Sequence, residues 1–167
     1  MSTTEQNLAD AFAGESQANR KYLAFAEKAD KEGHPQAAKL FRAAAAAETV
    51  HAHAHLRALG GIKSTAENLA EAVAGETHEF KSMYPPMIET AKAENHKSAE
   101  RSFDNANAVE KIHAELYQNV LDTIDSPAAT DYVVCSVCGN TVEGEAPETC
   151  PVCGAKATAF FSAEYTS

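Results

Sequence analysis

The sequence predicts a mainly α protein, a duplicated helical hairpin followed by a small four-cysteine metal module, and three observations carry that prediction. Glu48-x-x-His51 and Glu110-x-x-His113 stand 62 positions apart, and Glu32, His34, Ala37 and Phe41 recur at the same offset as Glu94, His96, Ala99 and Phe103. Gly14-Glu15 returns as Gly75-Glu76 with the register slipped by one. All four cysteines fall in two Cys-x-x-Cys pairs near the C-terminus.

Four long helices are expected, each bounded by recognisable signals. Ser2-x-x-Glu5 reads as a capping box for the first, which runs to Gly33-His34-Pro35, where glycine and proline stop it. The second starts near Pro35, carries the run Ala43 to Ala47 with Glu48 and His51, and ends at Gly60-Gly61. Ser64-x-x-Glu67 opens the third, which holds Glu76 and Glu79 and reaches about Asn95. Pro85-Pro86 should kink this helix rather than end it, because the apolar pattern resumes at Met87 and Ile88. The fourth spans about His96 to Asp125, with Phe103, Val109, Ile112, Leu116, Val120 and Leu121 as its apolar stripe, and Asp125-Ser126-Pro127 begins a linker. Residues 1–127 form one expected domain and 131–167 the second.

Composition narrows the function classes. Both parts are acidic, with 13 Lys+Arg against 19 Asp+Glu in residues 1–130 and 1 against 5 in residues 131–167, so no basic patch invites nucleic acid. No apolar stretch approaches the ~20 residues of a membrane helix, and Met1 to Asn7 lacks the charged start and apolar run of an export signal. A cytoplasmic protein with no membrane or nucleic-acid partner is expected, and there paired cysteines favour metal thiolate over disulfide.

A glutamate alone is an ordinary residue of a wet helix face. Position argues otherwise here. Glu15 lies beside Leu8, Ala11 and Phe12 and seven residues before Tyr22, while Glu110 and His113 are bracketed by Phe103, Val109, Ile112 and Leu116. A Glu and a His three residues apart point the same way one helical turn on, so two such pairs with Glu15 and Glu76 can enclose two metal ions. Unpaired carboxylates at that interior edge would repel one another, and two divalent cations remove the cost. Carboxylate with imidazole suits iron or manganese. Glu79 stands three residues after Glu76 where the first half has Ala18, so one side of the cluster holds an extra carboxylate, read as a ligand. His34, His53, His78 and His96 are read as surface or capping residues, and His55, one turn after His51, fits either role.

The C-terminal segment reads Cys135-Ser-Val-Cys138-Gly139, then eleven residues, then Cys150-Pro-Val-Cys153-Gly154. Two Cys-x-x-Cys-Gly turns let four thiolates surround one ion, with the glycines permitting backbone that aims amides at sulfur. The spacing alone fits zinc or iron. Tyr132, Val133, Val134, Phe160 and Phe161 are most of its apolar content, so the module should need its metal to fold, as domains below ~40 residues usually do.

These residues resemble the rubrerythrins. Phe12-Ala-Gly-Glu15-Ser-Gln-Ala18, Glu48-x-x-His51, Gly75-Glu76-x-x-Glu79, Met83-Tyr84-Pro85, Glu110-x-x-His113 and the cysteine pairs match that family in order over nearly the whole chain. The resemblance implies a ferritin-like four-helix bundle with two non-haem iron ions, followed by a rubredoxin-like module with one iron, zinc being the other occupant its spacing allows. It further implies that Glu48 and Glu110 bridge, that Glu76 and His113 complete one iron, and that Glu15 with either Glu79 or His51 completes the other, exchanging with redox state. Tyr22 and Tyr84 resemble tyrosines that orient ligands or touch bound peroxide, and packed aromatics with a satisfied hydroxyl are the plainer reading.

The expected activity is reduction of hydrogen peroxide to water, with electrons from an NAD(P)H-linked reductase passing through the four-Cys iron. The alternative is a ferroxidase or iron-handling protein with a structural zinc tail. In ferritin-like bundles the second and third helices run parallel, yet the roughly four residues Gly60 to Lys63 span at most ~14 Å against a helix of ~37 Å. A homodimer by exchange of helix pairs is therefore expected, with an up-down-up-down bundle as the competing solution. If the tail extends, the electron donor to each bundle site is the partner's module.

Overall fold

In the computed structural model, which describes residues 2–126 and 128–163, the helices are α1 (Thr4–Lys31), α2 (Pro35–Ala58), α3 (Thr65–His78), α4 (Tyr84–Ala93) and α5 (Lys97–Asp122), with a π-helical turn at Glu79–Met83. Strands β1 (Tyr132–Cys135), β2 (Thr141–Glu143) and β3 (Phe160–Ser162) follow. The chain divides into two compact units, Met1–Lys63 and Ser64–Ser167. No helix among the described residues is long and apolar enough to cross a membrane.

The first unit is the α1–α2 hairpin. Its start differs from expectation by one residue: Thr3, not Ser2, is the N-cap, its hydroxyl accepting the Gln6 amide at 3.1 Å. At the far end Gly33 takes φ +78, and the His34 amide bonds the Ala29 carbonyl at 2.8 Å, which satisfies the last turn and lets Pro35 open α2. Ala38, Ala45 and Ala52, seven residues apart on α2, are buried and let the helices approach closely. Between them Asn19 of α1 is buried, its amide donating to the Ala45 carbonyl at 2.7 Å and to Thr49 Oγ1 at 2.8 Å. With alanine supplying most of this core, Phe25, Leu40 and Val50 remain exposed.

In the second unit, Ser64 and Glu67 form the expected capping box of α3. The prolines do not simply kink the helix that follows. The chain instead winds one π-helical turn before Tyr84, and Pro85 and Pro86 then occupy the first turn of α4, where a missing N–H costs little. That turn accounts for the one-residue slip in the repeat: Glu15 precedes Tyr22 by seven residues and Glu76 precedes Tyr84 by eight, and a π turn absorbs one extra residue. Beyond it the two hairpins match again. Tyr84 and Phe103 have ring centroids 6.2 Å apart, as Tyr22 and Phe41 are at 6.1 Å. Asn95 takes φ 55 at the position equivalent to Gly33, and the His96 amide bonds the Ala91 carbonyl at 2.9 Å. His96 also caps α5, its Nδ1 accepting the Ala99 amide at 3.3 Å.

The tail is a three-stranded antiparallel sheet in the order β2-β1-β3, with Val133 opposite both Val142 and Ser162. Its most buried residues are Cys135, Asn140 and Cys150, so its interior is largely sulfur rather than hydrocarbon. The tail does not extend away from its own helices: β2 packs on α5 within this unit.

Candidate metal centres

Among the described residues, three groups of side chains carry ligand chemistry. In the first unit, α1 supplies Glu15 and α2 supplies Glu48 and His51; the His51 Nδ1 lies 2.9 Å from Glu48 Oε2 and 4.0 Å from Glu15 Oε1. In the second, α3 supplies Glu76 and α5 supplies Glu110 and His113, with His113 Nδ1 at 2.9 Å from Glu110 Oε2 and 3.7 Å from Glu76 Oε1. The helical spacing places each Glu-x-x-His pair on one face, and the facing helix adds the second carboxylate. Two Glu, Glu, His groups suit a di-metal site.

The electrostatics agree with that donor set. Burial pushes the Glu76 carboxyl above its ordinary value, and the neighbouring charge of Glu110 pushes it further, against the pull of His113. Two carboxylates crowded on one imidazole are costly without a cation, and a divalent ion removes the cost. Tyr84 feels the same charge: burial, then Glu79, Glu110 and Glu76, raise its phenol above the usual tyrosine value. Glu79 itself opens the π-helical turn and stands outside the group of three. Tyr22 packs its ring against Phe25 and Phe41, and among the described residues its hydroxyl bonds no member of the first group. His34, His53, His78 and His96 are exposed.

The third group is the tail's. Cys135 and Cys153 have sulfurs 3.7 Å apart, Cys138 and Cys150 3.6 Å. A disulfide would bring a pair to ~2.0 Å, whereas a tetrahedron with ~2.3 Å metal–sulfur bonds has edges of about 3.8 Å. Four thiols at that spacing suit one metal ion. Both knuckles repeat one geometry: Cys135 and Cys150 amides bond the carbonyls of Asn140 and Ala155 at 2.9 and 2.7 Å, and Gly139 and Gly154 take φ +82 and +76. The conformation aims amides at sulfur. Burial raises the Cys150 thiol, but N–H groups of Cys153 and Val152 outweigh it and bring the group down to about 7, while burial holds Cys138 and Cys153 high.

Residues 6–121 match the rubrerythrin family, and residues 134–161 match its rubredoxin-like domain. The chain belongs to the rubrerythrin family. It thus joins a ferritin-like di-iron domain to a C-terminal rubredoxin-like domain, in a family whose members are generally oxidoreductases. Rubrerythrin-2 of Clostridium acetobutylicum is 36% identical, over 94% of this chain and 95% of that protein. Rubrerythrin of Porphyromonas gingivalis is also 36% identical, over 91% and 86%. Among solved structures, the fully reduced, all-ferrous state of nigerythrin aligns with a TM-score of 0.59 at 33% identity, covering 97% of this chain and 87% of that one.

Two residues near the second group escaped the sequence reading. Tyr117 follows His113 by one turn, and its phenol is raised by burial and by Glu76 and Glu110. It lies 62 positions after His55, so the repeat itself marked the place. Thr141, on β2, sets its hydroxyl 2.9 Å from His113 Nε2. No local spacing in the sequence announces a contact across 28 residues.

Proposed function

We propose that this chain is a non-haem di-iron peroxidase that reduces hydrogen peroxide to water, with electrons delivered through the four-Cys iron of its tail. The observation that carries the reading is the seating of the tail on α5, the helix that bears Glu110 and His113. An electron-transfer module at that place favours reductive input, which an iron-storing ferroxidase does not need. Each turnover takes one peroxide, two electrons and two protons to two waters.

When bound, iron supplies the redox chemistry, giving peroxide two electrons that an NAD(P)H-linked reductase replaces through the tail. The chain's residues hold and tune it. Glu48 and Glu110 would be ligands common to both ions, Glu76 and His113 would complete one site, and Glu15 with His51 or Glu79 would complete the other. Tyr84, a phenol protonated at neutral pH and raised further by burial and then by Glu79, Glu110 and Glu76, is a standing hydrogen-bond donor. Metal-thiolate cysteines suit the cytoplasm.

Leu59 to Ser64 are all that join α2 to α3, at most ~22 Å of chain, whereas α2 with 24 residues is ~36 Å long. A parallel crossover within one chain exceeds that reach. That supports a homodimer by exchange of helix pairs, in which each di-iron centre would take one hairpin's group from each chain, with an up-down-up-down bundle as the competing solution.

The visible spectrum under turnover tests the activity. Strong iron–thiolate absorption that bleaches with reductant and recovers on adding peroxide is expected, and Glu110→Ala abolishes the recovery along with bundle metal. Glu79→Ala slows the cycle with two metals still bound. A colourless, zinc-loaded tail would remove the electron path and favour the iron-handling alternative.

A further inference from the structure

The two histidines of the repeat are alike on one ring nitrogen and different on the other. Each Nδ1 lies 2.9 Å from the Glu three residues before it. The Nε2 of His113 meets Thr141 Oγ1 at 2.9 Å, whereas among the described residues His51 Nε2 has no partner. Thr141 is itself fixed, because its Oγ1 also lies 3.2 Å from the Gly139 carbonyl, next to Cys138. A carbonyl can only accept, so the hydroxyl hydrogen goes to Gly139 and the hydroxyl oxygen is left to accept the Nε2–H of His113. A ring that keeps its hydrogen on Nε2 offers the Nδ1 lone pair to a metal beside Glu76 and Glu110.

We infer that Thr141 is a positioning residue of the bundle centre. From the tail's fold it locks His113 as a permanent Nδ1 ligand. The tail then has a structural task as well as an electron-carrying one. Because the Gly139 turn is built on Cys135 and Cys138, filling the four-Cys site also sets the ring orientation of a ligand in the bundle. This inference rests on His113 being a metal ligand and is independent of which oxidant the centre reduces.

The test is Co²⁺ titration of the full-length protein with zinc in its tail, comparing wild type, Thr141→Val and Thr141→Ser. Valine keeps the shape and β preference at this strand position but offers no acceptor. Wild type is expected to bind two Co²⁺ in the bundle. Thr141→Val should weaken one of them ~10- to 100-fold, the range for removing a hydrogen-bond partner of a ligating histidine, and leave the other unchanged. Thr141→Ser should restore it. In the proton spectrum of the Co²⁺ form, one paramagnetically shifted imidazole N–H should exchange slowly with solvent in wild type and serine variant and rapidly in the valine variant. Uptake of two Co²⁺ indifferent to valine, or a serine variant as weak as valine, overturns this inference alone. A wild type that takes up no cobalt overturns the ligand assignment and the inference with it.

Discussion

Tyr84 donates its backbone N–H to the carbonyl of Glu79, five residues back, and so closes a π-helical turn. The extra residue of that turn lies between Glu76, which faces His113, and the Tyr84–Phe103 pair, so it sets how the carboxylate and the aromatic contact are aligned on one helix. Deleting the exposed Ser82 should let the turn relax to α-helix and leave Glu76 seven residues before the tyrosine, the spacing that Glu15 and Tyr22 already have, so their alignment is kept. Helix content by circular dichroism should hold, and the bundle should still take up two metal ions. Loss of one of the two metals would show that the turn does more than absorb the extra residue.

Metal-free protein should lose stability as pH rises. The Glu76 carboxyl is raised from its ordinary 4.5 by burial and by Glu110, so the folded chain holds that proton more tightly than the unfolded one. Its contribution is most favourable below 4.5 and declines as pH climbs through the window up to the raised value. Urea midpoints measured from pH 4.5 upward should therefore fall more steeply for metal-free wild type than for Glu76→Gln. Divalent metal should reverse the trend, because metal binding favours the ionised ligand.

Capture of a metal by the empty tail should accelerate as pH rises through about 7, where Cys150 becomes a thiolate. Stopped-flow mixing with Zn²⁺ measures it. Cys150→Ser should lose tail metal and the three-stranded sheet while the helical signal persists, since the tail's buried residues are mostly its cysteines. A tail that stays folded without metal would contradict this.

Tyr84→Phe should lower peroxide turnover by roughly 100-fold at unchanged metal content, the low end of what a placed proton donor contributes. Tyr22→Phe should matter less, because that ring is packed between Phe25 and Phe41. Equal losses in the two variants, by steady-state peroxide consumption, would remove the distinction.

Much of this was readable in the sequence because the two halves repeat it. The Glu-x-x-His pairs, the Gly33 and Asn95 ends and the Ser64 cap each depend on local spacing, which a chain displays openly. Ser2 was misread as the first cap because Thr3 with Gln6 offers an equivalent pair one residue on. The π turn was hidden by the prolines, although the slip from seven to eight residues between Glu and Tyr had recorded it. Thr141 could not be found, since its meeting with His113 depends on how the tail seats on α5.

In the proposed function, a paired metal centre in the bundle passes electrons from the tail iron to peroxide. Anaerobic single turnover decides whether it does: fully reduced protein is mixed with substoichiometric hydrogen peroxide and the tail's iron–thiolate absorption is followed. Re-oxidation at two electrons per peroxide, lost in Glu110→Ala, is the predicted result. A tail that stays reduced while peroxide disappears, or that re-oxidises equally well without Glu110, would contradict it.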